Sequence, residues 1–187
     1  MKKIFFLLAV VLFVYRTDIQ AQHIDFSRFG LGAGISYNFP ENDLGKFWKN
    51  SKGISLVSTY DIGDMFNLEA ELHYTELTRK QTENLIPDIK IYIISGGICY
   101  RYQPIPVTAI VASAGLQSYT FKFFGSYFEK SGNNSNESEM GFYFSAGLRI
   151  NILNRISVIP LFKIQNILSD PEIIVIKSYA FRIIYHI

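Results

Sequence analysis

The chain has 187 residues, room for one domain, and a formal net charge of only +2, which argues against a nucleic-acid binder. One cysteine, Cys99, and three histidines at no ligand-like spacing leave neither a disulfide framework nor a metal signature, and no cofactor motif is found. Aromatic residues reach 16% while charged residues stop at 18%, below the roughly 25% usual in soluble domains, so the chain is short of the groups that keep a surface wet.

The first stretch, "MKKIFFLLAVVLFVYRTDIQAQ", carries two lysines, an apolar run from Ile4 to Val14, and small or polar residues up to Ala21-Gln22. This order predicts a cleavable signal peptide over residues 1–22 and an exported domain over 23–187. The apolar run, about 11 residues, falls short of the roughly 20 needed to span a bilayer as a helix.

Past residue 28 the sequence alternates with a period of two, segment after segment. In Phe29–Phe39, Leu31, Ala33, Ile35, Tyr37 and Phe39 oppose Gly30, Gly32, Gly34, Ser36 and Asn38. The G-x-G-x-G spacing could be taken for a nucleotide loop, but such a loop opens a helix. Here the alternation runs on to Pro40, so the glycines mark the inner wall of a strand. Further strands are predicted over Gly53–Ile62, Met65–Leu77, Ile89–Tyr102, Val107–Phe121, Met140–Asn151, Ile156–Asn166 and Tyr179–Ile187. Most are about 10 to 14 residues long, nearer the 9 to 11 of a transmembrane strand than the 5 to 6 of a soluble one.

The connections carry an independent pattern. Long polar links, "PENDLGKFWKNSK" (40–52), "TRKQTENLIPD" and "KFFGSYFEKSGNNSNESE" (122–139), alternate with short ones, Gly63-Asp64, "QPIP" and Leu153-Asn154. Outer-membrane barrels have this asymmetry, with tight periplasmic turns and long external loops. The expected fold is therefore all-β: an eight-stranded antiparallel up-and-down transmembrane barrel. Its bulky aliphatic face, with aromatics near strand ends, meets lipid, and its Gly/Ser/Ala/Thr-rich face lines a narrow lumen. A soluble lipocalin-like barrel, apolar inside, is the alternative reading of the same alternation.

On these features the chain resembles the small eight-stranded outer-membrane barrels of the OmpA-like and OmpX-like kind. Its opening, "LGAGISYNFPENDLGKFWKNSKGISL", is similar to the start of the compact outer-membrane β-barrel domain common among Gram-negative exported proteins. The resemblance implies an outer-membrane location, lipid as the surrounding partner, and insertion by the barrel-assembly machinery. It departs from the pattern at the last residue, Ile187, where such barrels favour Phe or Trp; Phe181 and Tyr185 share the outward phase.

With that orientation the lumen holds Glu69, Glu71 and His73 on the third strand, then Arg101, Arg149, Lys163 and Arg182 on later ones. Charges buried in so narrow a space must be paired. The expectation is a salt-bridge plug in which Glu69 or Glu71 meets Arg101 across the third and fourth strands; a small pore or a carrier for hydrophobic solutes is the functional alternative. His73, with Glu71 and Thr75 on its face, suggests a base and its orienting carboxylate, as in lipid A-modifying barrels. No serine is evident at matching depth, so no catalytic residue is assigned and no enzyme activity is expected. The loops carry Trp48, Phe123, Phe124, Tyr127 and Phe128, an aromatic set that extends the interfacial girdle or contacts an extracellular ligand or surface partner. The role expected is structural or surface-interactive.

Overall fold

The computed structural model describes residues 25–80, 87–124, 136–169 and 173–187. Residues 1–22, read as a signal peptide, and Tyr127 and Phe128 lie outside the described residues. Asp25 opens the described chain by capping a 3-10 turn, Phe26–Arg28. Its carboxylate accepts from the Ser27 hydroxyl and amide, which hold its pKa below the ordinary value.

Eight strands follow: β1 (Phe29–Pro40), β2 (Ser51–Asp61), β3 (Phe66–Leu77), β4 (Asp88–Ile105), β5 (Thr108–Phe124), β6 (Asn136–Leu153), β7 (Ile156–Leu168) and β8 (Ile173–His186). They close in sequence order, each antiparallel to its neighbours, with β1 pairing β8 from Gly30↔His186 to Pro40↔Ile176. Closure removes both sheet edges, the condition for β-structure in hydrocarbon. Several strands outrun their predicted bounds: β4 extends to Ile105, leaving Pro106-Val107 as the turn, β6 begins four residues early at Asn136, and β8 begins six residues early at Ile173. The link 40–52, expected as loop, contains a helix α1 (Asn42–Phe47).

Side chains alternate as the period of two requires. Leu31, Ile35, Ile54, Leu56, Leu72, Ile94, Ile98 and Ile183 point outward and stay exposed. That apolar band lies between two aromatic girdles. Phe29–Tyr60 and Phe66–Tyr100 (ring centroids 5.0 and 5.4 Å apart) mark the short-turn end. Tyr37–Phe39 and Tyr74–Tyr92 (4.9 and 5.2 Å) mark the long-loop end. A soluble barrel would bury this band, not display it.

The lumen is packed in layers and is less polar than the alternation suggests. At the long-loop end Leu77, Ile89, Ile91, Ile93, Tyr119, Phe121, Ile167 and Ile176 form an apolar cluster capped by Leu44 of α1. Nearer the short turns Val57, Cys99, Val111, Ile159, Leu161 and Ile184 form a second. Glycines make room for large inward groups: a Cβ at Gly97 would lie 2.5 Å from the Tyr143 hydroxyl, one at Gly115 2.7 Å from its ring, and one at Gly34 3.0 Å from Arg182 Cγ.

Candidate functional site

Between the two apolar clusters lies a charged layer built from three strands. Register places Glu69 and Glu71 on the inner face of β3, Lys163 on β7 and Arg182 on β8. Lys163 Nζ donates to Glu71 Oε2 at 2.6 Å, and Arg182 Nη2 donates to the same oxygen at 3.1 Å. Arg182 Nη1 donates to Glu69 Oε1 at 2.7 Å. All four side chains are at most 5% exposed. Two cations face two anions, so the layer is neutral, which is what allows it to persist in a low-dielectric interior. Lys163 Nζ also lies 4.5 Å from the Tyr143 ring centroid, a cation–π contact on its far side.

Arg101 does not join this layer. The expected pairing with Glu69 or Glu71 is replaced by Asp61, at 3.6 Å, and by two hydrogen bonds to the Asp64 carbonyl. The reason is strand position: Arg101 sits four residues from the end of β4, level with the β2–β3 turn, while Gly97 and Ser95 stand opposite Glu69 and Glu71. Arg149 is likewise a short-turn-end group; its Nε donates to Asn151 and Ser157, and its Nη2 lies 2.8 Å from His186 Nε2. Beside the charged layer the free lumen shrinks to a cavity of about 20 Å³ against Asn67, Cys99 and Arg182, the size of about one water. Arg182 Nε and Asn67 Oδ1 have no hydrogen-bond partner among the described residues.

His73 finds the serine that sequence reading missed. Ser36 Oγ of β1 lies 3.2 Å from His73 Nε2, across Gly53 of the intervening strand. The only sequence signal is the shared inward phase of Ser36 and His73; the two are 37 residues apart and register alone joins them. His73 is buried, and Glu71, the carboxylate two residues away, is committed to Lys163 and Arg182. The pair closes the wall between β1 and β3, and the recesses that Ser36 and His73 border are lined mainly by outward apolar residues such as Ile35, Ile54 and Leu72.

A large recess lies at the long-loop mouth. There α1 and Trp48 lean over the upper apolar cluster and leave a cavity of about 450 Å³ against Leu44, Ile89, Phe121, Phe123 and Ile174. Trp48 is fixed as part of this wall, with its Nε1 donating to the Pro87 carbonyl at 2.9 Å and a bridge to Arg79. Glu41, Asp43, Glu137 and Glu139 ring the opening. Lys177 neutralises Glu41 and Lys46 neutralises Asp43. Glu137 and Glu139 stand across from Phe121 and Tyr119, on the inward phase of β6. Phe124, by contrast, ends β5 in the outward phase, beneath the Lys90 ammonium.

Comparison with known proteins adds to this geometry. The family described as outer membrane protein beta-barrel domain matches residues 4–165. Neisserial surface protein A superposes with a TM-score of 0.68 at 14% identity, covering 85% of this chain and 97% of that one. OprG of Pseudomonas aeruginosa gives 0.59 at 13% identity, covering 85% and 96%. Ail of Yersinia pestis, crystallised with the heparin analogue sucrose octasulfate, gives 0.53 at 16% identity, covering 84% and 95%. No curated protein sequence matches the chain.

Proposed function

The chain belongs to the outer membrane protein beta-barrel domain family, and from that premise we propose that it is a closed, non-enzymatic barrel whose external mouth holds an apolar group of a surface ligand. The observation that carries this reading is the mouth cavity of about 450 Å³, set over a lumen filled by an apolar layer and an ion-paired layer. A cavity of that size lies within the range of small-molecule sites, and its apolar walls with few convergent polar groups have the make-up such sites share. The inward carboxylates Glu137 and Glu139 favour a ligand bearing positive charge beside its apolar group. Ail was crystallised with a sulfated anion, the opposite of the charge that these carboxylates favour.

Residues 1–22 would be removed on export, and the outward phase of Phe181 and Tyr185 supports insertion by the barrel-assembly machinery. The test of the mouth uses Trp48, the only tryptophan of the chain. With the protein in phosphatidylcholine nanodiscs, benzyltrimethylammonium should change Trp48 emission saturably, and benzenesulfonate, of similar size and opposite charge, much more weakly. Glu137→Gln with Glu139→Gln should erase the difference. A Trp48 signal that responds saturably to neither ion would refute the reading.

A further inference from the structure

On the outward face of the barrel, at the long-loop girdle, one pair of residues breaks the ordinary rule of cross-strand pairing. Lys90 of β4 stands directly opposite Lys122 of β5. Like charges in directly opposed positions destabilise a sheet. No carboxylate of the described residues pairs with either ammonium. Glu76 is the obvious candidate, since it stands across from Lys90 on the β3 side, but it accepts instead from the Tyr74 hydroxyl at 3.1 Å. The two lysines lean apart onto aromatic rings: Lys90 Nζ lies 4.6 Å from the Phe124 centroid and Lys122 Nζ 5.1 Å from that of Tyr92.

Position identifies what could compensate two unpaired cations here. Lys90 shares the outward phase of Tyr92 and Ile94 and lies two residues beyond Tyr92 toward the long loops. Tyr92 belongs to the aromatic girdle, which sits at the level of lipid headgroups. An outward group just past that girdle on the long-loop side faces the headgroups of the external leaflet. We propose that Lys90 and Lys122 dock a phosphate of an outer-leaflet lipid headgroup, with Tyr92 and Phe124 holding the two ammoniums in place until it binds. A phosphate offers several acceptor oxygens to the ammonium donors and relieves their repulsion. The Lys177–Glu41 pair, at 2.6 Å, is the internal contrast, an external-end lysine whose charge is already met within the chain.

The test is lipid retention by native mass spectrometry of the full chain from phosphatidylcholine vesicles doped with lipid A, a bis-phosphorylated glycolipid, or with its dephosphorylated form. Wild type should retain the phosphorylated lipid preferentially. Lys90→Gln with Lys122→Gln should weaken that retention about thirty-fold, the equivalent of about 1 kcal/mol of lysine–headgroup attraction per residue. The Lys90→Arg/Lys122→Arg variant should keep it, and Lys177→Gln should change it little. A heat-modifiable band on gels confirms that each variant is folded. Equal retention by wild type and the double glutamine variant would mean that the lysines only reach for water, and the proposal would fall. Displacement of lipid A by millimolar inorganic phosphate would also overturn it, by identifying a soluble-anion site rather than a lipid one.

Discussion

Replacing Glu71 by glutamine tests the charged layer most directly. Glu71 Oε2 holds both Lys163, at 2.6 Å, and Arg182, at 3.1 Å. Arg182 keeps Glu69 at 2.7 Å when Glu71 is neutralised, so the damage falls on Lys163. Its side chain is 3% exposed, and no other carboxylate of the described residues pairs with it. Breaking a buried pair from one side costs about 3–5 kcal/mol. The Tyr143 ring, 4.5 Å from Nζ, and the glutamine carbonyl offset part of that, which places the expected loss near the lower end, about 3 kcal/mol. Urea unfolding from lipid vesicles, followed by Trp48 fluorescence and by the folded band on unheated gels, reads the loss. Adding Lys163→Met removes the stranded ammonium and should recover about 2 kcal/mol, a coupling of the size expected for contacting residues. If Glu71→Gln unfolds within about 0.5 kcal/mol of wild type, or if Lys163→Met fails to rescue it, the pairing does not hold the lumen together.

Gly115→Val should lower the folded fraction on unheated gels, because its new methyls meet the Tyr143 ring and the Gly96 carbonyl; overpacking of this kind costs up to about 3 kcal/mol. Leu56→Arg, at an outward position 63% exposed, should cost about 2–4 kcal/mol in vesicles, whereas a solvated surface would register almost nothing. In planar bilayers the wild-type protein should give no stepwise conductance, since both apolar clusters and the charged layer cross the lumen; steps would refute the closed lumen. Leu44→Ala should cost about 2–4 kcal/mol and release α1 from the apolar cluster below it, making the segment 40–50 cleavable by protease added outside vesicles.

Strand existence, closure and outward phase were legible because the lipid-facing side of a barrel obeys a single rule, and Leu31 to Tyr37 or Leu68 to Tyr74 follow it without exception. The lumen was only half legible. Where inward and outward positions are both apolar, as at Ile93 and Ile94, alternation fades, and nothing in the pattern marks Ile89, Ile91 and Ile93 as the apolar plug they form. Ile159, Leu161 and Ile184 were hidden in the same way. Residue types and phase marked seven inward polar groups in need of partners, yet partner choice depends on relative depth along the barrel axis, which the stagger of closure sets. Arg101 therefore went to Asp61, and Glu71 met Lys163 across the lumen, 92 residues away. Ser36 and His73 came together for the same reason, through a register that passes over Gly53.

The layering ties the closed lumen to the open mouth. A narrow eight-stranded barrel has to fill its interior with side chains, and charge alone cannot do it: the four-residue ion-paired layer needs apolar neighbours above and below to exclude water and so strengthen its attractions. The upper apolar layer serves that purpose and also ends in a surface. Leu44 seals it on one side of the mouth, while Ile89, Phe121, Phe123 and Ile174 line the cavity beside it. Substitutions in the charged layer and in the mouth should then separate experimentally. Glu71→Gln should lower stability and leave the Trp48 response to benzyltrimethylammonium intact at temperatures where the barrel is folded. Phe123→Ala should weaken that response and leave the unfolding midpoint close to wild type, because Phe123 is only partly buried against the cluster. If both substitutions moved both properties together, the mouth would be an extension of the packed core, and the reading of it as a separate binding surface would fail.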